Sequence, residues 1–180
     1  MVTLEEFQKL MHLSEDEEIN KLLAKVIYEE LDDRNFFTLP ASINHHGNKE
    51  GDLFNHSLRV MNELVNLTEK LDLQWELERS PYVVGMLHDL CKTELYVPDG
   101  NGEFKYNNES FMTGHGDLSV LLSANIGLLL TEEEIACIRW HMGAFDDSKN
   151  WNKYNLAIQK YPNVLYTHTA DMIASQIKNV

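Results

Sequence analysis

An apolar run over residues 82–90 holds two residues that such a run does not need, His88 and Asp89. Val83, Val84, Leu87 and Leu90 fall at helical spacing and can face a core. Ser80 and Pro81 ahead of them suit an N-cap and a first helical position. A carboxylate inside such a helix is costly unless it is paired or bound to a cation. The imidazole beside it is a ligand suited to divalent transition metals. Two ligands are not a site, so the remainder of the chain has to supply the others.

It does so in order. His56 lies in an earlier helical pattern, and His115 in Thr113-Gly114-His115-Gly116-Asp117. His141 ends a later pattern, Arg139-Trp140-His141, and Asp171 lies in the last one. Four histidines and two aspartates are more than one tetrahedral ion needs. They suit two ions that share a carboxylate, each with an open position. Lys92, one turn past Asp89, could meet a phosphate or be a solvated lysine. Arg59, one turn past His56, could do the same or pair with Glu63 at i,i+4. His45 and His46 could line a substrate mouth or be plain loop histidines. His168, one turn before Asp171, reads as a core or surface histidine that could also support a ligand. Cys91 and Cys137 read as small buried apolar residues. Most Trp and Tyr residues read as core, with some free to stack a base.

Helices must carry these ligands. Thr3 with Glu6, Ser14 with Glu17 and Thr131 with Glu134 fit capping boxes. The second helix puts Ile19, Leu22, Leu23, Val26 and Ile27 on one face and reaches about Asp33. Residues 34–51, with Pro40, Gly47 and Gly51, read as a loop. Asp52 caps a long helix with Leu53, His56, Val60, Leu64, Leu67 and Leu71 on one side. Residues 93–97 and 103–106 flank Pro98-Asp99-Gly100-Asn101-Gly102 and predict a small hairpin. Asp117 opens a helix to Gly127, with His115 just before it. Residues 143–150 read as a polar loop and 152–160 as a helix. The last helix starts near Pro162 and carries Leu165, Thr169, Met172, Ile173 and Ile177. There is no internal repeat. A weak break near residue 38 sets residues 1–38 apart as an N-terminal helical extension packed on a core domain of residues 39–180.

The 180 residues, 43% of them hydrophobic, suffice for one domain with a single sizeable core. Fifteen Lys and Arg against 29 Asp and Glu leave a net charge of −14. Such a surface repels nucleic-acid phosphates, so neither duplex nucleic acid nor a membrane is an expected partner. A small anion remains compatible, because a bound cation inverts the field locally. Two cysteines are too few for a disulfide framework or a Cys-rich zinc site. The opening residues lack the regions of a signal peptide, and no apolar run would span a bilayer, so the expected location is cytoplasmic.

His56, then His88-Asp89, then Asp171 resemble the H…HD…D signature of the HD-domain superfamily. His115 and His141 resemble the two extra histidines of its dinuclear branch. The resemblance spans roughly residues 40–175. Pro40-Ala41-Ser42, His45-His46-Gly47 and Asn55-His56-Ser57-Leu58 look like a bacterial and phage group of HD hydrolases. The resemblance implies an all-α HD-domain bundle with metals at its centre and the hairpin as an insertion after the HD helix. It implies that His56, His88, Asp89 and Asp171 surround one divalent transition metal ion and Asp89, His115 and His141 a second, with Asp89 bridging. Fe, Mn, Zn, Ni and Mg are not distinguished. The activity implied is that of a phosphohydrolase, a phosphomonoesterase or phosphodiesterase, acting on a nucleotide or other small phosphate ester through a metal-activated water. Asp89 and Lys92 would be its catalytic residues, with Lys92, Arg59 and His46 beside the substrate. The stretch His88-Asp89-Leu90-Cys91-Lys92 departs from the common HDIGK form by a cysteine for the glycine, and it keeps the lysine, which in relatives approaches substrate phosphate. The GYP element of the cyclic-di-GMP branch is missing, which argues against that substrate. Two other readings stay open: a mixed-valent di-iron oxygenase, since relatives such as myo-inositol oxygenase use the same ligand set, and a non-enzymatic nucleotide sensor with a relict site, against which the intact ligand set argues.

Overall fold

The computed structural model, which describes residues 2–43, 47–112 and 114–177, is a helical bundle with one small hairpin. Helix α1 (Leu4–Leu10) begins at a capping box: Glu6 N–H donates to Thr3 Oγ1, and Thr3 N–H donates to the Glu6 carboxylate. Helix α2 (Glu17–Asp33) is capped by Asp16, not Ser14; the Asp16 carboxylate accepts from Glu18 and Ile19 N–H. The inner face of α2 also differs from the expectation. Ala24, Ile27 and Leu31 are buried, whereas Ile19, Leu22 and Val26 are exposed. Apolar residues cover more than one arc of this helix, so periodicity alone does not choose the arc. Tertiary packing does: Phe7 of α1 meets Tyr28 of α2 and Phe37 edge-on.

Helix α3 (Asp52–Leu71) buries Leu53, Val60, Met61 and Leu64. Asp52 is its first residue instead of its cap, and its carboxylate accepts Lys49 N–H at 2.9 Å. Helix α4 (Ser80–Leu87), with Pro81 in its first turn, buries every residue but Tyr82, as suits a central helix. Ser80 lies within it, and its hydroxyl donates to Glu134 Oε1 instead of capping. The two helices meet at Gly85, where a Cβ would lie 2.3 Å from Met61 Cα. Only a hydrogen fits there, and the backbones approach accordingly.

The chain then turns tightly through residues 88–91 into one more helical turn, α5 (Lys92–Leu95). Strands β1 (Tyr96–Pro98) and β2 (Phe104–Tyr106) follow as an antiparallel pair with Tyr96 opposite Tyr106. Helix α6 (His115–Asn125) starts at His115, two residues earlier than the sequence suggests. Helix α7 (Glu132–Trp140) keeps the expected capping box of Thr131 and Glu134. The polar stretch after it contains two short 3₁₀ turns. Helix α8 (Trp151–Lys160) leads to α9 (Asn163–Met172), whose end widens into a π-helical turn over Ile173–Ile177.

Helix α9 and the π-helical turn after it face inward through Val164, Thr167, Ala170 and Ala174, while Leu165 and Ile177 point outward, against the hydropathy pattern. The inner residues are small, which lets α9 sit close on α3 and α7 and also mutes their hydropathy signal. One hydrophobic core runs from Phe7 to Ala174, with Phe36 and Phe37 packed on Phe54. Among the described residues, no helix is long and apolar enough to cross a membrane.

Candidate metal centre

Three helices start from one knot of buried polar groups. The Glu134 carboxylate accepts from Arg79 Nε and from Ser80 Oγ at the start of α4. The Glu133 carboxylate accepts from Glu76 N–H and from Asn163 Nδ2 at the start of α9. Both glutamates belong to the first turn of α7. Helices α4, α7 and α9 have 8, 9 and 10 residues. At about 1.5 Å per residue they rise by similar amounts. Their far ends therefore meet, and those ends carry His88, His141 and Asp171.

His88 and His141 are the C-caps of α4 and α7, and Asp171 lies in the last turn of α9. Helix C-termini carry partial negative charge, so three of them converging favour a cation. His56 joins from α3, and His115 from the first position of α6. Arg139 fixes the α6–α7 approach: its guanidinium pairs with both Asp117 and Asp146 and lies over the Trp140 ring. Gly116 fits against that backbone, where a Cβ would sit 2.0 Å from Arg139 O.

The six side chains form two groups. His56, His88 and Asp171 offer ligand atoms within 4.8 Å of one another, and so do Asp89, His115 and His141. His56 Nε2 lies 3.2 Å from His88 Nε2 and 3.3 Å from Asp171 Oδ1. Atoms bound at about 2.1 Å to one ion lie roughly 3.0–3.4 Å apart in common coordination geometries. Asp89 stands between the groups. Its Oδ2 is 3.6 Å from His56 Nε2 and 3.5 Å from His88 Nε2, while its Oδ1 is 2.7 Å from His115 Nε2 and 3.5 Å from His141 Nε2.

The hydrogen bonds behind the rings turn the lone pairs inward. His88 Nδ1 donates to Gly85 O at 2.9 Å and His141 Nδ1 to Ile138 O at 2.7 Å. Burial, partly opposed by the Asp89 charge, brings His88 down to about 3, so the ring is neutral and its Nε2 is a bare lone pair. His141 Nε2 is buried without a hydrogen-bond partner. Such an orphaned nitrogen, beside facing lone pairs and carboxylate oxygens, fits a cation and fits little else. Burial alone would raise Asp89, but Lys92, His88 and His115 hold it well below the usual range. Burial is likewise outweighed at Asp171, which hydrogen bonding to His56 and the nearby imidazoles bring to about 2. Both are carboxylates, as ligands must be.

A cavity of about 440 Å³ opens over the centre, lined by His56, Asp89, Lys92, His115 and Asp171. Lys92 Nζ donates to Asp89 Oδ2 at 2.5 Å; burial would lower its pKa, and the Asp89 carboxylate more than offsets this. Arg59 is half-buried on α3 and does not line the cavity. His45 and His46 lie outside the described residues.

Of the other wall residues, His168 carried a signal in the sequence, as a histidine one turn before Asp171. Tyr96 and Tyr106 arrive together through the hairpin register, which begins one turn after Lys92. Phe145 is exposed at the cavity, four residues after His141 in an otherwise polar stretch. His168 donates from Nδ1 to His141 O at 2.8 Å and lines the wall. Cys91 is buried as expected, yet its Sγ meets His115 Nδ1 at 3.2 Å. No family model matches the chain, no curated protein matches it, and no solved structure matches it.

Proposed function

We propose that this chain is a metal-dependent phosphohydrolase of the HD-domain type, acting on a nucleotide or other small phosphate ester. The observation that carries the reading is the division of Asp89: one carboxylate oxygen faces each ligand group. Two divalent ions, if held there by His56, His88, Asp171, His115, His141 and the shared Asp89, would supply Lewis acidity toward water and phosphoryl oxygens. The protein's own groups do the rest. Lys92 stands in the cavity wall beside Asp89, where its ammonium can offset charge growing on the phosphoryl oxygens. The walls of Tyr96, Tyr106, Met142 and Phe145 suit the organic part of an ester. In the reaction, water attacks phosphorus and gives up a proton, the ester P–O bond breaks, and the leaving oxygen takes up a proton. With two divalent ions the centre would be cationic inside a chain of net charge −14, and would attract an anion only locally, which suits a small substrate.

The test starts from chelator-stripped protein reloaded with Mn²⁺ or, anaerobically, with Fe²⁺. A panel of phosphate monoesters and diesters should release phosphate or nucleotide without oxygen or reductant. Manganese should serve as well as iron, because a Lewis acid needs no redox change. Lys92→Ala should slow turnover by about 10²-fold or more, as loss of one charge-stabilising donor does, while leaving metal content in place. Strict oxygen dependence, with a mixed-valent iron signal by electron paramagnetic resonance and no turnover with manganese, would overturn the hydrolase in favour of an oxygenase. No turnover of any ester would favour a sensor.

A further inference from the structure

A histidine that binds a cation through one ring nitrogen gives the hydrogen on the other to an acceptor, which fixes its tautomer and orientation. For His88 and His141 the acceptor is a backbone carbonyl three residues back, Gly85 O and Ile138 O, supplied by the helix each residue ends. His115 begins its helix, so no preceding turn of α6 stands behind it. Its Nδ1 meets the sulfur of Cys91 instead, at 3.2 Å.

Cys91 is held in place for that contact. It is fully buried, and its N–H donates to Ser119 Oγ on α6 at 3.1 Å. Its Sγ also lies 3.9 Å from Asp89 O, within reach of an S–H donor. A thiol both gives and takes a hydrogen bond, weakly in each direction. When His115 Nε2–H donates to Asp89 Oδ1, Nδ1 accepts from the thiol. When Nε2 offers its lone pair to an ion, Nδ1–H donates to sulfur and the thiol hydrogen turns to Asp89 O. A carbonyl permits only the second state. His115 is also the most exposed of the four ring ligands, 31% against 5% for His56 and 0% for His88 and His141. It sits at the positive end of a helix dipole, whereas His88 and His141 sit at negative ends.

We infer that Cys91 is the positioning residue for His115, and that the ion position formed by Asp89, His115 and His141 is the weaker and more readily exchanged of the two. The inference rests on the metal-centre reading above, and the experiment separates the two. Co²⁺ is titrated into the chelator-stripped full chain against a chromophoric competitor, and the cobalt absorption follows ligation. The wild-type chain should show two dissociation constants at least about tenfold apart, and His115→Ala should abolish the weaker. Cys91→Ala should weaken that same constant by about tenfold, the lower end for loss of a partner behind a metal ligand, and leave the tighter one unchanged. Cys91→Ser, whose hydroxyl also gives and takes, should restore it. If Cys91→Ala does not fold, Cys91→Val fills the space without a hydrogen-bonding atom and takes its place.

Two equal constants in the wild-type chain would overturn the ranking. Unchanged constants in Cys91→Ala, equal weakening of both, or failure of Cys91→Ser to restore the weaker one would overturn the role of Cys91, while the metal centre stands. A wild-type chain that takes up no cobalt at the centre overturns the metal-centre reading and this inference with it.

Discussion

Asp89 is the residue on which both ligand groups depend, because its two oxygens lie on different sides of it. Asp89→Ala should therefore lose both ions, and not one, while circular dichroism stays helical; metal analysis that finds one ion retained would contradict a shared carboxylate. His88 makes a separate prediction in the ion-free protein. Its pKa falls from 6.5 unfolded to about 3 folded, so between those values the unfolded chain binds more protons. Stability then falls as pH drops from 6.5 toward 3, by at most about 1.4 kcal/mol per pH unit for this group. Asp89 and Asp171, held low, lose their contribution further down, below 3.8. The urea midpoint of chelator-stripped protein should follow this course, and His88→Asn, whose amide can still donate to Gly85 O, should flatten the upper part. Equal slopes would contradict it. His88 and Asp89 stood out in the sequence because their types are rare inside an apolar helix. Cys91, Tyr96 and Phe145 did not, because a thiol or an aromatic ring is ordinary core material until packing shows what it faces.

At the level of elements, the centre exists because α4, α7 and α9 share a starting point at Glu133 and Glu134 and have nearly equal lengths. Capping boxes at Thr3 and Thr131 and the hairpin were readable from local chemistry, since cap and turn act over a few residues. The faces of α2 and α9 were not, because the choice of inner arc is made by neighbours far away in sequence. The Glu133–Glu134 knot was hidden for the same reason: its partners lie 30 to 57 residues away. The second ligand pair depends on a close approach of α6 to α7 at Gly116. Gly116→Ala puts a methyl group against Arg139 O, backbone against which no side chain can yield. It should destabilise the fold by about 1–3 kcal/mol, part His115 from His141, and leave the group of His56, His88 and Asp171 able to hold its ion. Thermal melting with metal analysis checks both parts; a variant that binds two ions with wild-type affinity would show that the approach is not required.

For the whole molecule, the candidate ligands come from five places between His56 and Asp171, so an ion bound there would tie together most of the fold. An ion that binds only the folded chain stabilises it by about 2.7 kcal/mol at a hundredfold excess over its dissociation constant. For a chain of this size that is a rise of roughly 5–11 °C in melting temperature. A chain with 29 Asp and Glu against 15 Lys and Arg complicates the experiment, because divalent cations also gather loosely on an acidic surface. The two effects differ in origin and can be told apart. Surface condensation falls with added salt and does not depend on Asp89. Binding at the centre resists salt and requires Asp89. Melting curves of wild type and Asp89→Ala, with and without Mn²⁺ at two ionic strengths, should show a salt-resistant rise in the wild type alone. An equal rise in both proteins would mean that the cations act on the acidic surface and not on the buried histidines.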